Sequence, residues 1–122
     1  MYGTIPNSSV TFKALLAYRA ELAVAASIVL GPGAGTYGVA VLEGTILTQQ
    51  NDGTYLPAAP GDAITLGKTK VLGHTVTCDG RPTPGIAGYY TGFFNKAALI
   101  GTPAQIAALG VENEPGVIHM QF

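Results

Sequence analysis

Charge is what this 122-residue chain has least of. Charged residues make up 11% of it, against roughly a quarter in an ordinary globular domain. They leave a formal net charge of -1, which gives no basic footprint for nucleic acid and no cationic face for an anionic membrane. Tryptophan is absent and cysteine occurs once, at Cys78. No disulfide can form within the chain, so the fold must stand without that staple. Cys78 itself reads as a small hydrophobe in or beside a strand. The longest apolar stretch, Leu22 to Leu30, falls far short of the ~20 residues a membrane-spanning helix needs. The opening Met1-Tyr2-Gly3-Thr4-Ile5-Pro6 has no basic segment ahead of an apolar core, so no signal peptide is expected.

Groups that do chemistry are equally thin. His74 and His119 have no third ligand at metal-binding spacing. Glu43, Asp52, Asp62 and Asp79 fall at expected strand ends and turns, where such residues shape the backbone. Asn51-Asp52-Gly53 resembles a fragment of a calcium loop but lacks the spaced acids and the closing Glu. Glu112 and Glu114 are expected in a loop, Arg19 and Glu21 on a solvated face. Ser8, Ser9 and Ser27 are outside any nucleophile-elbow context. Gly31-Pro32-Gly33-Ala34-Gly35 does not open a helix and is followed by no Gly-Lys-Ser/Thr, so a phosphate loop is excluded. The expectation is a protein that is not an enzyme and has no cofactor or metal.

What is present is apolar and punctuated by glycine. Hydrophobic residues reach 48%, with 17 Gly and 8 Pro, in a length that suits one domain and one core. Few charges leave much neutral or apolar surface, of the kind that partners cover. An oligomer, or a subunit of a larger assembly, is therefore expected.

The clearest local signal is Leu42 to Pro57. Apolar and polar residues alternate, Asn51-Asp52-Gly53 interrupts them, and a second short run ends in Pro57. This is a two-stranded antiparallel hairpin. Around it, strands are expected at Thr36–Val41, Thr69–Cys78, Ile86–Phe94 and Val117–Phe122, with a loop at Asp79–Gly85. Thr102, Pro103 and Gly110 frame a two-turn helix as N-cap, first residue and terminator, with Ile106 and Leu109 on one face. Phe12 to Ala26 is helical by propensity but runs into Ser27-Ile28-Val29-Leu30, which prefers strand; the residues leave both states open. Strict alternation would place Tyr89, Thr91 and Phe93 on one face and Tyr90, Gly92 and Phe94 on the other. One face is expected in the core. The other is either a cover for the sheet or a subunit interface, which makes Tyr89, Tyr90, Phe93 and Phe94 candidate contact residues.

In order along the chain stand Val24–Leu30 with its Gly-rich break, Glu43-Gly44-Thr45-Ile46-Leu47, and Asp52-Gly53-Thr54-Tyr55-Leu56-Pro57. Val71-Leu72-Gly73, Phe94-Asn95-Lys96-Ala97-Ala98-Leu99, a helix ending in Leu109-Gly110 and a terminal strand follow. From about Leu15 to its end the chain thereby resembles the lambda protein D-like head decoration proteins of tailed bacteriophages, a capsid-stabilising family. It departs from that pattern in the Asp79–Gly85 loop and in Glu112–Gly116. The resemblance implies a mainly β fold with one short C-terminal helix, a small β-tulip or barrel-like domain over residues 14–122 preceded by an extended arm over 1–13. It implies a homotrimer that cements the three-fold positions of an expanded head against internal DNA pressure, with the major capsid protein as partner. The location implied is the virion head surface, after synthesis in the host cytoplasm. The arm, with Tyr2, Ile5, Pro6, Val10 and Phe12, would add a strand to the shell protein, and the Ala-rich segment would be extended. Other readings are a tail-tube or fibre-associated subunit, or a small β domain binding a ligand or carbohydrate on its aromatic cluster.

Overall fold

The computed structural model describes residues 15–17, 22–34, 38–65 and 67–121. Its elements run β1 (Val24–Leu30), β2 (Ala40–Val41), β3 (Ile46–Gln49), β4 (Tyr55–Pro57), β5 (Thr69–Leu72), β6 (Val76–Thr77), β7 (Thr83–Asn95), α1 (Pro103–Ala108), β8 (Gly110–Glu114) and β9 (Val117–Gln121). A 3₁₀ turn at Lys96–Ala98 follows β7. Among the described residues the fold is mainly β with one short α-helix, as expected. The arm expected over residues 1–13, with Tyr2, Ile5, Pro6, Val10 and Phe12, lies outside the described residues.

The hairpin forms between β3 and β4, with Leu47 opposite Pro57 and Gln49 opposite Tyr55. Its tip turns at Gly53, whose φ is +88°, and the Asp52 carboxylate accepts from both the backbone N–H and the hydroxyl of Thr54. From this hairpin the sheet grows both ways. β4 pairs parallel with β1, β3 pairs antiparallel with β5, and β5 pairs antiparallel with β7. β7 then returns to β1, from Val24 opposite Thr91 to Leu30 opposite Thr83. That last pairing closes a barrel of 5 strands. Past Thr91, β7 leaves the barrel and pairs with β9, which carries β8 on its other side. β2 and β6 form a separate two-stranded sheet.

Closure divides the apolar residues into two cores. Ile28, Leu30, Leu47, Tyr55, Leu72 and Ile86 pack inside the barrel, with Val41, Val76 and Cys78 from the small sheet and its flank. Ile46, Val71, Phe94, Leu109, Ile118 and Met120 pack outside its wall, beneath α1 and β9. Neighbours Ile46 and Leu47 therefore enter different cores, as do Val71 and Leu72, because a strand sends successive side chains to opposite faces. Each fully buried Leu, Ile or Phe contributes about 1.5–3 kcal/mol by its removal from water.

Helix α1 starts as its caps dictate. The Thr102 hydroxyl accepts from the Gln105 N–H at 3.2 Å, and the Gln105 side-chain oxygen accepts from the Thr102 N–H at 3.0 Å. The buried Gln105 amide also donates to the carbonyls of Ala59 and Asp62, which ties the helix to the loop after β4. Leu109 is buried as expected, with Ile106 partly buried against the same core.

Several elements differ from the sequence expectation. The single strand expected over Thr69–Cys78 is two, β5 and β6, in different sheets. The chain breaks at Gly73, where an added Cβ would sit 3.1 Å from the Ala87 carbonyl oxygen, and His74 lies exposed in the break instead of mid-strand. Of the strand expected over Thr36–Val41, residues 36–37 lie outside the described residues and Ala40–Val41 is strand. The Asp79–Gly85 loop is shorter, since β7 already begins at Thr83. Glu112 and Glu114 are on strand β8, not in a loop. In the Ala-rich segment, Val24–Ala26 is strand and Leu16 bridges to Phe94, both extended, while Leu22 between them is in a 3₁₀ turn.

Gly44 holds the turn into β3 with φ +92°, and a Cβ there would collide with the Ala98 carbonyl oxygen. Gly53 has nearly the same φ, +88°, with nothing within 4 Å. Gly53→Ala is expected to cost about 1–2 kcal/mol, the backbone penalty alone, and Gly44→Ala more than about 3 kcal/mol. Urea unfolding of the two variants checks this; equal losses would show that the carbonyl contact sets no limit.

Candidate functional site

The aspartates Asp52, Asp62 and Asp79 are spent on loop geometry. Asp62 accepts from the Ala59 N–H at 2.9 Å. Asp79 accepts from the Arg81 N–H and, at 2.8 Å, from its guanidinium. Glu112 pairs with Lys96 across 3.2 Å. His74 weakly accepts from the Ala87 N–H at 3.4 Å, and His119 is on β9, in another part of the sheet. Among the described residues no three His, Cys, Asp or Glu side chains come together as metal ligands would. Cys78 is buried in the barrel core at 2% exposure. Polar notches, such as that between Gln49, Asn51, Asp62 and Lys68, are shallow and open to solvent.

The aromatic run on β7 divides four ways. Phe94 is fully buried at the centre of the outer core, so it leaves the set of candidate contact residues. Tyr89 packs edge-on against it, with ring centroids 5.8 Å apart and planes at 66°. Strict alternation would have put these two rings on opposite faces. The register explains the difference: Val24 opposes Thr91 while Ala25 opposes Tyr89, so β7 carries a bulge that shifts its facing. Tyr90, within the bulge, is half-buried.

Phe93 alone of the four faces outward in a defined surface row. It lies opposite His119 on β9, and His119 lies opposite Val111 on β8. The Phe93 and His119 rings stack with centroids 4.4 Å apart and planes at 12°. Val111 at the end of the row is 67% exposed. A second apolar group surrounds the Gly44 turn. Leu42 is 54% exposed and Ile100 42%, and Ile100 bonds through its N–H to the Gly44 carbonyl. Sequence reasoning named Phe93 but missed His119 and Val111 beside it, and missed Leu42 and Ile100 altogether. Their one visible signal was an apolar residue at the polar end of an element.

These surfaces offer apolar area and ring faces, with the His119 imidazole stacked on Phe93. No family model matches the chain, and no curated protein and no solved structure matches it either.

The Asp79–Arg81 pair gives the loop before β7 a pH dependence. The Arg81 side chain first, and its backbone N–H second, hold the Asp79 carboxyl below its ordinary value. A carboxyl lowered in the folded state contributes order that is present above its unfolded value and is lost as pH falls through the folded one. Arg81→Gln is expected to raise the Asp79 midpoint towards that of a free aspartate, read from the carboxyl carbon by NMR titration. An unchanged midpoint would assign the shift to something other than Arg81.

Proposed function

We propose that this chain is a capsid decoration protein, binding as a homotrimer at the three-fold sites of an expanded phage head and cementing the shell of major capsid protein against DNA pressure. The observation that carries the reading is the solid barrel. Leu30, Leu47 and Leu72 are fully buried inside it and Tyr55 nearly so, which fills the space that a ligand-binding barrel keeps open. Function then belongs to the outer surface, where Leu42, Ile100, Val111 and the Phe93–His119 stack supply contact area. The order of elements supports the same reading: strand, Gly-rich break, hairpin, short helix and terminal strand follow one another as in the family the sequence resembles.

A cement protein needs no reactive group. It binds the mature shell in preference to its precursor, so its binding free energy adds to the stability of the assembled state by mass action. A carbohydrate platform is a poorer fit. Phe94 is in the core and the Phe93 ring is already faced by His119, so the cluster presents no open pair of rings.

Deleting Met1 to Thr11 is expected to leave a folded, soluble protein that no longer binds expanded heads. Cosedimentation of full-length and truncated protein with expanded and unexpanded heads tests this. Full occupancy by the truncated chain would exclude the arm as the anchor, and absence of binding by the full-length chain would remove the cement reading itself.

A further inference from the structure

One cation is set apart from all the other charges described. Lys70 lies on the inward-facing row of β5, in register with Leu47 and two residues from Leu72, both fully buried in the barrel core. The start of its stem passes over Gly88, where an added Cβ would lie 3.2 Å from the Lys70 Cβ and 2.9 Å from Ile28 Cδ1. The half-buried side chain thus brings its ammonium out at the rim of the barrel. There Nζ donates to the Tyr55 hydroxyl oxygen at 3.2 Å. It stands 5.3 Å from the Tyr55 ring centroid, at the hydroxyl end of the ring, and 5.8 Å from that of Tyr90.

The chain spends little of this donor set. An ammonium has three N–H groups and a phenol one O–H. Two N–H groups of Lys70 and the hydroxyl proton of Tyr55 have no acceptor among the described residues. Tyr55 is only 6% exposed, so its hydroxyl oxygen is held in place beside the ammonium. The carboxylates in described ion pairs are committed elsewhere, Asp79 to Arg81 and Glu112 to Lys96.

We propose that Lys70, Tyr55 and Tyr90 form a carboxylate-binding site at the barrel rim. The spare N–H groups of Lys70 stand beside the Tyr55 hydroxyl, so that one carboxylate's lone pairs could be shared between them, and the Tyr55 and Tyr90 rings flank the ammonium, where a lowered local dielectric strengthens a charge-assisted bond. The charge balances at one positive against one negative. A phosphate, with about -1.5 to -2 charges at neutral pH, would leave surplus charge in a partly desolvated place. The carboxylate comes either from a small free acid or from the side chain of a second copy of this chain, where Glu43 and Glu114 are exposed. The site does not depend on the cement reading.

Titration of isotope-labelled full-length protein with acetate, at ionic strength held constant with chloride, reads the first source by NMR. Saturable shifts are expected at Lys70, Tyr55 and Tyr90, at an affinity about tenfold above that of the exposed Lys68, the gain from one further charge-assisted hydrogen bond. They should vanish in Lys70→Met, which keeps the stem, and weaken in Tyr55→Phe, which keeps the ring. Inorganic phosphate should bind no better than acetate. Sedimentation equilibrium of wild type, Lys70→Met, Glu43→Gln and Glu114→Gln reads the second source: association lost in Lys70→Met and in one Glu variant assigns the carboxylate to a second copy. Acetate shifts at Lys70 no tighter than at Lys68, together with association indifferent to Lys70→Met, overturn the proposal. The wild-type comparison of Lys70 with Lys68 decides the first arm even if a variant fails to fold.

Discussion

The pairing of β1 with β7 is the constraint on which the rest of the structure depends. β7 offers its first eight or nine residues to the barrel and its last five to β9, so one continuous strand joins the two cores. Without its return to β1, the β1–β4–β3–β5–β7 ribbon would keep an open seam between its two outer strands, and Leu30, Ile28 and Ile86 would lose the wall that buries them. The bulge opposite Val24 and Ala25 is the geometric cost of using one strand in both places. It turns the end of β7 so that Phe94 can sit under α1 while Ile86 stays inside the barrel.

Where local chemistry specifies structure, the sequence was legible. Asn51-Asp52-Gly53 demanded a tight turn and Thr102-Pro103 demanded a helix start, and both are where they were read. Gln105 was legible in principle, since Thr-x-x-Gln is a capping-box spacing, but its bonds to the carbonyls of Ala59 and Asp62 are tertiary and leave no local trace. The split between β5 and β6 was hidden because Thr69 to Cys78 reads as one strand, and a strand's propensity does not say which sheet it joins. β8 looked like a loop for the opposite reason. Lying at the end of the sheet order, it can carry Val111, Glu112 and Glu114 into solvent, so polar composition and strand structure coexist there.

The candidate site was legible as a region but not as an arrangement. Tyr89, Tyr90, Phe93 and Phe94 read as one cluster, whereas the fold gives them different tasks: core, core margin, rim and surface row. A bulge cannot be located from alternation, because it is the place where alternation stops. Lys70 was visible in hindsight through its parity with Leu72, since two residues apart on a strand share a face. A lysine on the apolar face of a barrel strand carries information that its neighbours Thr69 and Val71 do not.

The closing pair also orders events in time. Val24 is made long before Thr91, and during synthesis the chain emerges at about 5–20 residues per second. For that interval β1 has β4 as its one partner in the barrel, and its apolar face waits for a wall that has not left the ribosome. Pairing across so long a loop forms slowly, so the protein's most vulnerable moment comes before β7 arrives, with a nearly complete ribbon and an open seam. The strand that seals the molecule is the one the ribosome delivers late.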